Sequence, residues 1–389
     1  MSITSIDKEY VAGTYGRFPV ELVSGKGSIM VGSDGKEYID MGSGIGVTAF
    51  GTADEQWLAA VTAQLGKVQH TSNLYYTEPC ALLAKALCEK TGMKKVFFGN
   101  SGAEANECAI KVARKYSAEK KGDDCYTVIT MVNSFHGRTL TTLSATGQDH
   151  FHKLFNPLTP GFVHVPANDI AALEEAVATV NPAAVMLEIV QGEGGVVPLN
   201  ADFVAAADKL CKENDIPLVI DEVQTGNGRT GKLYAYQHFG IQPDVVSTAK
   251  GLGGGLPIGA CLMGEKVQYV LGPGDHGSTY GGNPVASAGA LNVIERIDDA
   301  LLAEVNKKSA YIFKELENAE GVESVTGMGL MIGIKTTKPA KDILMECMAN
   351  GVLCLTAKDK LRLLPALNIP MNDLEKAISV IKTACQGNR

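Results

Sequence analysis

One lysine stands alone in a long stretch of small and apolar residues. Lys250 lies in the segment STAKGLGGGLPIGA (247–260), and no other charged residue occurs from Val245 to Gly264. Desolvation favours the neutral amine, which is the form of lysine that attacks a carbonyl group. A solvated lysine with a pKa of ~10.4 would need roughly 4–5 kcal/mol to lose its proton at neutral pH. Lys250 is therefore a candidate for a lysine that forms a Schiff base, and the alternative is a lysine whose side chain extends to the surface.

A carboxylate ends one of the predicted buried strands. Asp221 follows the apolar run of IPLVIDEV (216–223), where ionisation is costly unless a cation or several hydrogen-bond donors lie close by. Asp221 could form a purely structural ion pair, or it could bind a cationic group of a ligand. In the polar loop that follows, Gln224 could donate a hydrogen bond to a ligand oxygen.

A predicted strand-to-helix junction could bind an anion. The segment GNSGAEANECAIK (99–111) places Ser101 and Gly102 at the start of a helix, where free backbone N–H groups and the helix dipole attract negative charge. The spacing of Ser101 and Glu104 also fits an ordinary capping box. A Walker-type phosphate loop is excluded, because no Lys-Ser or Lys-Thr pair follows the second glycine.

One ligand would use all three groups. The amine of Lys250 suits an aldehyde, the carboxylate of Asp221 suits a protonated ring nitrogen, and the backbone at 101–103 suits a phosphate. An aldehyde, a pyridine nitrogen and a phosphate occur together in pyridoxal 5′-phosphate. These residues therefore predict a site for this cofactor.

The elements that must position these residues form an alternating pattern. Short apolar runs alternate with stretches of helical periodicity, which is typical of a mostly parallel α/β sheet covered by helices. Strands are predicted at 95–98, 126–132, 162–166, 183–190, 216–223 and 244–249, and helices from 102 and near 169–180 and 201–213. Because ligands bind beyond the carboxyl ends of such strands, the loops that carry Asp221 and Lys250 are expected to meet.

The C-terminal part of the chain has a different pattern. A polar helical stretch covers about 293–319, the Gly-rich GMGLMIGI follows at 327–334, and a short helix is predicted after Pro370. We expect residues 1–55 to form an N-terminal segment that packs with the smaller domain, 56–285 to form the large cofactor-binding domain, and 286–389 to form a small α+β domain. Asp34-Gly35 predicts a hairpin in the N-terminal segment.

The composition excludes several classes of protein. A net charge of −8, without a long run of Lys or Arg, disfavours nucleic-acid and anionic-lipid partners. Nine cysteines without a Cys-x-x-Cys pair disfavour a disulfide framework, and we predict no metal site. Apolar runs are too short to span a membrane, and the N-terminus lacks the pattern of a secretory signal, so we expect a cytoplasmic protein with small-molecule partners.

Seven motifs occur in the order found in the class III aminotransferases, which the chain resembles over essentially its whole length. They are NSGAEANE, SFHGRT, QGEGG, DEVQTGNGRTG, STAKGLGGGLPIGA, HGSTYGGNP and TGMGLMIG. The resemblance implies the fold of the fold-type-I pyridoxal-phosphate-dependent transferases. That fold has a large domain, with a mostly parallel sheet between helices, and a smaller α+β domain.

The resemblance also implies the cofactor contacts. Lys250 matches the lysine that binds the aldehyde and later moves the substrate's proton, and Asp221 matches the partner of the pyridine nitrogen. The other implied contacts are Ser101, Gly102 and Ala103 at the phosphate, Phe135 and Val223 on the ring faces, Gln224 near the phenolic oxygen, and Thr279 of a neighbouring subunit at the phosphate. The last contact implies a homodimer with a shared active site.

Four residues match positions that recognise substrate in this family. Arg138 matches the arginine that holds the carboxylate far from the reacting amine, and Tyr15 matches a tyrosine that assists it in the ornithine enzymes of this family. Arg362 matches the arginine that binds the α-carboxylate of glutamate, and Glu193 matches the glutamate that masks this arginine when an ω-amine is bound. Guanidinium groups bind carboxylates through two hydrogen bonds, so the masked and unmasked states select different substrates.

Within the family, the chain is most similar to members that transfer the δ-amino group of N2-acetylornithine to 2-oxoglutarate in arginine biosynthesis. Ornithine, succinylornithine and 4-aminobutyrate stay open as amino donors, and a non-catalytic pyridoxal-phosphate-binding protein is a remote alternative. The implied contacts bind carboxylates and the cofactor, so they do not select an acyl group. Two departures occur: FGTADEQW (50–57) replaces a usual Gly-His-x-His-Pro segment near the expected subunit interface, and Ile189 replaces a usual proline.

Overall fold

Strands and helices alternate through the middle of the chain in the computed structural model, which describes residues 2–386. The strands are β1 (Leu22–Lys26), β2 (Ile29–Gly32), β3 (Glu37–Asp40), β4 (Lys95–Gly99), β5 (Val128–Met131), β6 (Phe162–Val165), β7 (Ala184–Leu187), β8 (Val190–Gln191), β9 (Val197–Pro198), β10 (Leu218–Asp221), β11 (Val245–Thr248), β12 (Gly259–Met263), β13 (Val322–Met328), β14 (Met331–Thr336), β15 (Val352–Leu353), β16 (Leu355–Ala357) and β17 (Lys360–Leu363).

The helices lie before, between and after these strands. They are α1 (Ile3–Tyr10), the irregular turn α2 (Ser43–Gly46), α3 (Glu55–Leu65), α4 (Glu78–Thr91), α5 (Gly102–Lys121), α6 (Leu140–Ala145), α7 (Asp149–His152), α8 (Ile170–Val180), α9 (Ala201–Glu213), α10 (Pro284–Arg296), α11 (Asp299–Leu316), α12 (Ala340–Ala349) and α13 (Met371–Gln386).

A seven-stranded sheet in the order β4-β12-β11-β10-β7-β5-β6 forms the centre of the fold. Six strands run in one direction, and β12 is antiparallel to both of its neighbours. The predicted mostly parallel sheet is confirmed, and its central strands are buried throughout, as their apolar sequences require. The sequence did not predict β12, because its residues follow directly on the Gly-rich segment after Lys250 and carry no separate strand signal.

Helix α5 packs on this sheet through a face of small and apolar residues that are spaced three and four positions apart. The buried residues of that face are Ala105, Cys108, Ala109, Val112 and Tyr116. The side chain of Ser101 caps the helix by accepting a hydrogen bond from the backbone N–H of Glu104 at 3.2 Å. The cap fixes the turn between β4 and α5, and the residues of this turn line the cavity described below.

The described residues also form two four-stranded sheets and the two-stranded sheet β8-β9. The predicted hairpin at Asp34-Gly35 is confirmed by the antiparallel pairing of β2 with β3, and β15 then joins β3 in parallel. A second sheet has the order β13-β14-β17-β16, and β17 carries Arg362. The N-terminal strands therefore pair with a C-terminal strand. The domain boundaries given above stay a prediction, and residues 1 and 387–389 of the predicted domains lie outside the described residues.

The helical stretch predicted over 293–319 is two helices. The first helix, α10, ends at Arg296. The side chain of Asp298 then accepts a hydrogen bond from the backbone N–H of Leu301 and is the N-cap of α11. Likewise, the run predicted as one strand over 183–190 divides at Glu188, whose side chain lies at the candidate site. No helix in residues 2–386 is both long and apolar enough to cross a membrane.

Candidate active site

A cavity of about 610 Å³ opens where β10 and β11 end. The residues at the ends of these strands, Asp221 and Lys250, both line it, as does the start of α5 at Ser101 and Gly102. Residues that are far apart in the sequence thus meet at the carboxyl edge of the sheet, where ligands of α/β proteins bind.

Lys250 lies at the base of this cavity in an unusual backbone conformation. Its φ of 43° is in the left-handed region, which residues with a side chain seldom adopt and which is typical of functional sites. Desolvation lowers the pKa of Lys250, although the charges of Glu193 and Asp221 oppose this shift. The half-buried amine is therefore easier to deprotonate than an exposed lysine, as nucleophilic attack requires.

Asp221 is buried and held by several donors. Its Oδ2 accepts hydrogen bonds from Asn106 Nδ2 at 2.7 Å and from His136 Nδ1 at 2.7 Å, and its Oδ1 accepts one from the backbone N–H of Val223 at 2.9 Å. Desolvation opposes protonation of His136, but the hydrogen bond and charge of Asp221 outweigh it and raise the pKa of His136. These contacts fix the direction in which the carboxylate of Asp221 points.

The start of α5 can receive an anion. The first N–H groups of a helix have no partner within the helix, and the positive end of its dipole faces the cavity at Ser101, Gly102 and Ala103. A Cβ on Gly102 would lie only 2.7 Å from Cγ1 of Val223, so a glycine is required for this close packing. The backbone and the side chain of Val223 thereby form one continuous wall.

The donor set in the cavity fits pyridoxal 5′-phosphate. It offers an amine, a carboxylate and a helix N-terminus, and Phe135, Val223 and Gln224 also line the cavity. An aromatic ring and a branched aliphatic side chain are suited to the two faces of a flat heteroaromatic ring. The described residues contain no group of three or more His, Cys, Asp and Glu side chains that could hold a metal ion.

Two of the predicted substrate residues form an ion pair next to the cavity. Arg362 Nη1 donates to Glu193 Oε1 at 2.6 Å and to Gln224 Oε1 at 3.2 Å. Arg362 is 3% exposed, whereas Glu193 is 30% exposed, so the glutamate is the solvent-facing partner of the pair. The buried arginine is thus paired with a more exposed carboxylate.

Arg138 has a different environment from Arg362. It is exposed at the cavity, and its guanidinium carbon lies 5.3 Å from the ring centroid of Phe135 and 4.2 Å from that of Phe151. Tyr15 also lines the cavity and is 74% exposed. The structure therefore brings both residues to the entrance without burying either of them.

Thr279 lies neither in the cavity wall nor in the ion pair of Arg362 and Glu193 beside it. It is exposed. The resemblance assigns it to the site of a neighbouring subunit, so its position in one chain does not test that assignment.

Sequence reasoning missed three residues that lie in or beside the cavity: Asn106, His136 and Glu188. Asn106 and His136 hold Asp221, and Glu188 accepts a hydrogen bond from the backbone N–H of Phe135 at 2.9 Å. Burial raises the pKa of Glu188, and the charge of His136 opposes this shift. The sequence did contain signals for these residues. Asn106 lies in the motif NSGAEANE, His136 lies in SFHGRT, and Glu188 is a carboxylate near the end of the strand predicted at 183–190.

Comparison with known proteins places the whole chain in one family. The family model "Aminotransferase class-III" matches residues 10–385. The chain belongs to the class III aminotransferase family. Among its relatives in this family, the acetylornithine aminotransferase of Haemophilus ducreyi is 51% identical over 381 residues, which cover 97% of each chain. The acetylornithine aminotransferase of Methanocaldococcus jannaschii is 44% identical over 382 residues, covering 97% of this chain and 96% of its own.

Solved structures of class III aminotransferases have the same fold. The ornithine aminotransferase of Toxoplasma gondii, whose active site holds pyridoxal phosphate at partial occupancy, superposes with a TM-score of 0.93 at 31% identity, covering 98% of this chain and 93% of its own. The N-acetylornithine aminotransferase of Stenotrophomonas maltophilia superposes with a TM-score of 0.84 at 36% identity, covering 98% of each chain. The predicted fold class is therefore confirmed, and the chain is an aminotransferase.

Proposed function

We propose that this aminotransferase uses pyridoxal 5′-phosphate to transfer the δ-amino group of N2-acetylornithine to 2-oxoglutarate. The products are N-acetylglutamate 5-semialdehyde and glutamate, and the reaction is a step of arginine biosynthesis. The observation that carries the proposal is the meeting of Lys250, Asp221 and the start of α5 in one cavity. The names of the relatives with 40–51% identity support the choice of amino donor.

When bound, the cofactor supplies an electron-withdrawing ring that stabilises negative charge at the carbon next to the transferred nitrogen. Lys250 would hold the cofactor through its aldehyde, and its amine is the group in the cavity wall that would accept and donate the substrate's proton. Asp221 would pair with the protonated ring nitrogen, since three hydrogen bonds fix the direction of its carboxylate. Phe135 and Val223, which line the cavity, would hold the ring, and the N-terminus of α5 would bind the phosphate.

The two halves of the reaction need different states of Arg362. With N2-acetylornithine bound, the reacting end of the substrate carries only an amine, and Glu193 neutralises Arg362 as observed. With 2-oxoglutarate bound, Glu193 turns away and Arg362 binds the α-carboxylate through two hydrogen bonds. Arg138 binds the carboxylate at the distal end of either substrate, assisted by Tyr15.

We also propose a cytoplasmic homodimer with shared active sites. Thr279 of each subunit would donate its hydroxyl to the phosphate in the neighbouring site, which explains why it is exposed in a single chain. The net charge of −8 disfavours a nucleic-acid partner.

Ornithine is the second candidate for the amino donor. The ornithine aminotransferase of Toxoplasma gondii superposes with a TM-score of 0.93, and Tyr15 at the cavity matches a tyrosine of that enzyme class. The site residues proposed here would bind carboxylates and the cofactor, and both donors carry the same carboxylate and reacting amine, so these residues do not distinguish the two donors.

A half-reaction separates the two donors. Purified enzyme with cofactor and without 2-oxoglutarate is mixed with N2-acetylornithine or with ornithine, and the absorbance of the bound cofactor is followed by stopped flow. We expect much faster bleaching with N2-acetylornithine. Equal or faster bleaching with ornithine would assign the chain to the second candidate, and no bleaching with either donor would refute both.

A further inference from the structure

The guanidinium of Arg138 is positioned by aromatic rings alone. Among residues 2–386, no carboxylate lies within ion-pair distance of Arg138 and no hydrogen bond to it is formed. Arg362, by contrast, is held by Glu193 and Gln224. An arginine that must bind a substrate carboxylate needs free N–H donors, but it also needs a fixed position, since ordering a long side chain costs free energy on binding.

Phe151 is the nearest group that fixes this arginine. The guanidinium carbon of Arg138 lies 4.2 Å from the centroid of Phe151, closer than its 5.3 Å to that of Phe135. Phe151 itself is held by an edge-to-face contact with Phe135 at 5.8 Å and by the ring of His150 at 3.8 Å. A cation above an aromatic face keeps its hydrogen-bonding edge free, so this contact positions the guanidinium without using its donors.

We infer that Phe151 is a positioning residue for substrate recognition: its ring holds Arg138 ready for the distal carboxylate of the substrate. This inference rests on the proposed function, because it assigns Arg138 to that carboxylate. Phe151 lies in α7, outside the seven family motifs, and no contact with the cofactor is required of it. Its loss therefore weakens the binding of carboxylate-bearing ligands and leaves the cofactor site intact.

The test compares three variants of the holoenzyme. Phe151→Ala removes the ring, Phe151→Tyr keeps it, and Phe155→Ala removes an exposed ring from the same segment that forms no observed contact with Arg138. We expect Phe151→Ala to raise KM for N2-acetylornithine about three- to thirtyfold, the range of a cation–π contact, with little change in kcat. Phe151→Tyr and Phe155→Ala are expected to keep the KM of the wild type.

Two further measurements exclude a general structural effect. The absorbance spectrum of the bound cofactor and its affinity are expected to stay unchanged in Phe151→Ala. The kcat/KM for N-acetyl-1,4-diaminobutane, which is the same donor without its carboxylate, is also expected to stay unchanged. An equal loss with both donors, or an altered cofactor spectrum, would overturn the inference, as would an unchanged KM for N2-acetylornithine.

Calorimetric titration with glutarate separates this inference from the proposed function. Glutarate is an unreactive dicarboxylate, and its binding does not depend on which amino donor the enzyme uses. If the wild type fails to react with N2-acetylornithine, the proposed donor is wrong. Weaker glutarate binding by Phe151→Ala than by Phe151→Tyr would still support the role of Phe151, and equal binding would refute it.

Discussion

Replacing Glu193 with alanine removes the carboxylate that forms an ion pair with Arg362. The ion pair is formed at 2.6 Å, between an arginine that is 3% exposed and a glutamate that is 30% exposed. A hydrogen bond between charged groups contributes about 1.5–3 kcal/mol, and the partial exposure of Glu193 favours the lower part of this range. In the variant, the substrate glutamate no longer competes with the side chain of Glu193 for Arg362. About 1.5–2 kcal/mol of binding free energy becomes available to this substrate, and we expect the kcat/KM for glutamate to rise about ten- to thirtyfold.

The opposite change is expected for N2-acetylornithine. With no carboxylate near its reacting end, this donor leaves Arg362 unpaired in the variant, and an unpaired buried charge is unfavourable. The assay is the pair of half-reactions, with glutamate and with N2-acetylornithine, in the wild type, Glu193→Ala and Glu193→Gln. Glu193→Gln keeps the shape without the charge and is expected to give an intermediate ratio. A ratio of the two kcat/KM values that stays the same in all three proteins would refute the masking role.

Three further predictions concern the cofactor site. Gly102→Ala places a Cβ 2.7 Å from Cγ1 of Val223, so the cavity wall must shift at a cost of about 1–3 kcal/mol. Titration of the apoenzyme with the cofactor is therefore expected to show weaker binding. An unchanged affinity would contradict the close packing of Gly102 against Val223. His136→Asn tests the raised pKa of His136: a protonated histidine beside Asp221 stabilises the fold below the unfolded pKa of ~6.5, and this stabilisation is lost as pH rises through the higher folded pKa. The difference in unfolding free energy between wild-type and variant apoenzyme is therefore expected to shrink with rising pH, and a difference that grows would have the wrong sign. Thr279→Ala and Lys250→Ala subunits are expected to regain activity when they are mixed under exchange conditions, because one site of the mixed dimer then has both native residues; no regain would place Thr279 outside the shared site.

The sequence predicted those parts of the fold that depend on local patterns. The buried face of α5 follows from residues spaced by three and four positions, and the hairpin between β2 and β3 follows from Asp34-Gly35. Strand β12 was missed because GACLM (259–263) continues a Gly-rich, apolar segment without a turn signal before it. Its place between β11 and β4 is decided by pairing with strands that are distant in the sequence.

The same distinction holds for the site. Lys250 could be recognised from its own neighbourhood, since an isolated lysine in an apolar segment is itself unusual. The hydrogen-bond partners of Asp221 could not be recognised in this way, because Asn106 and His136 lie 115 and 85 positions away from it in the sequence. The contact between Arg138 and Phe151 depends on the fold of the loop that joins them, and no periodicity in the sequence predicts that two rings will meet one guanidinium.

The most direct test of this account is to identify the lysine that binds the cofactor. The holoenzyme is treated with borohydride, which fixes a covalently bound cofactor on its lysine, and is then digested and analysed by mass spectrometry. We predict that the modification lies on Lys250 alone, and that Lys250→Ala binds the cofactor without covalent attachment and shows no turnover. Modification of another lysine, or full turnover by Lys250→Ala, would contradict the role of the cavity where β10 and β11 end.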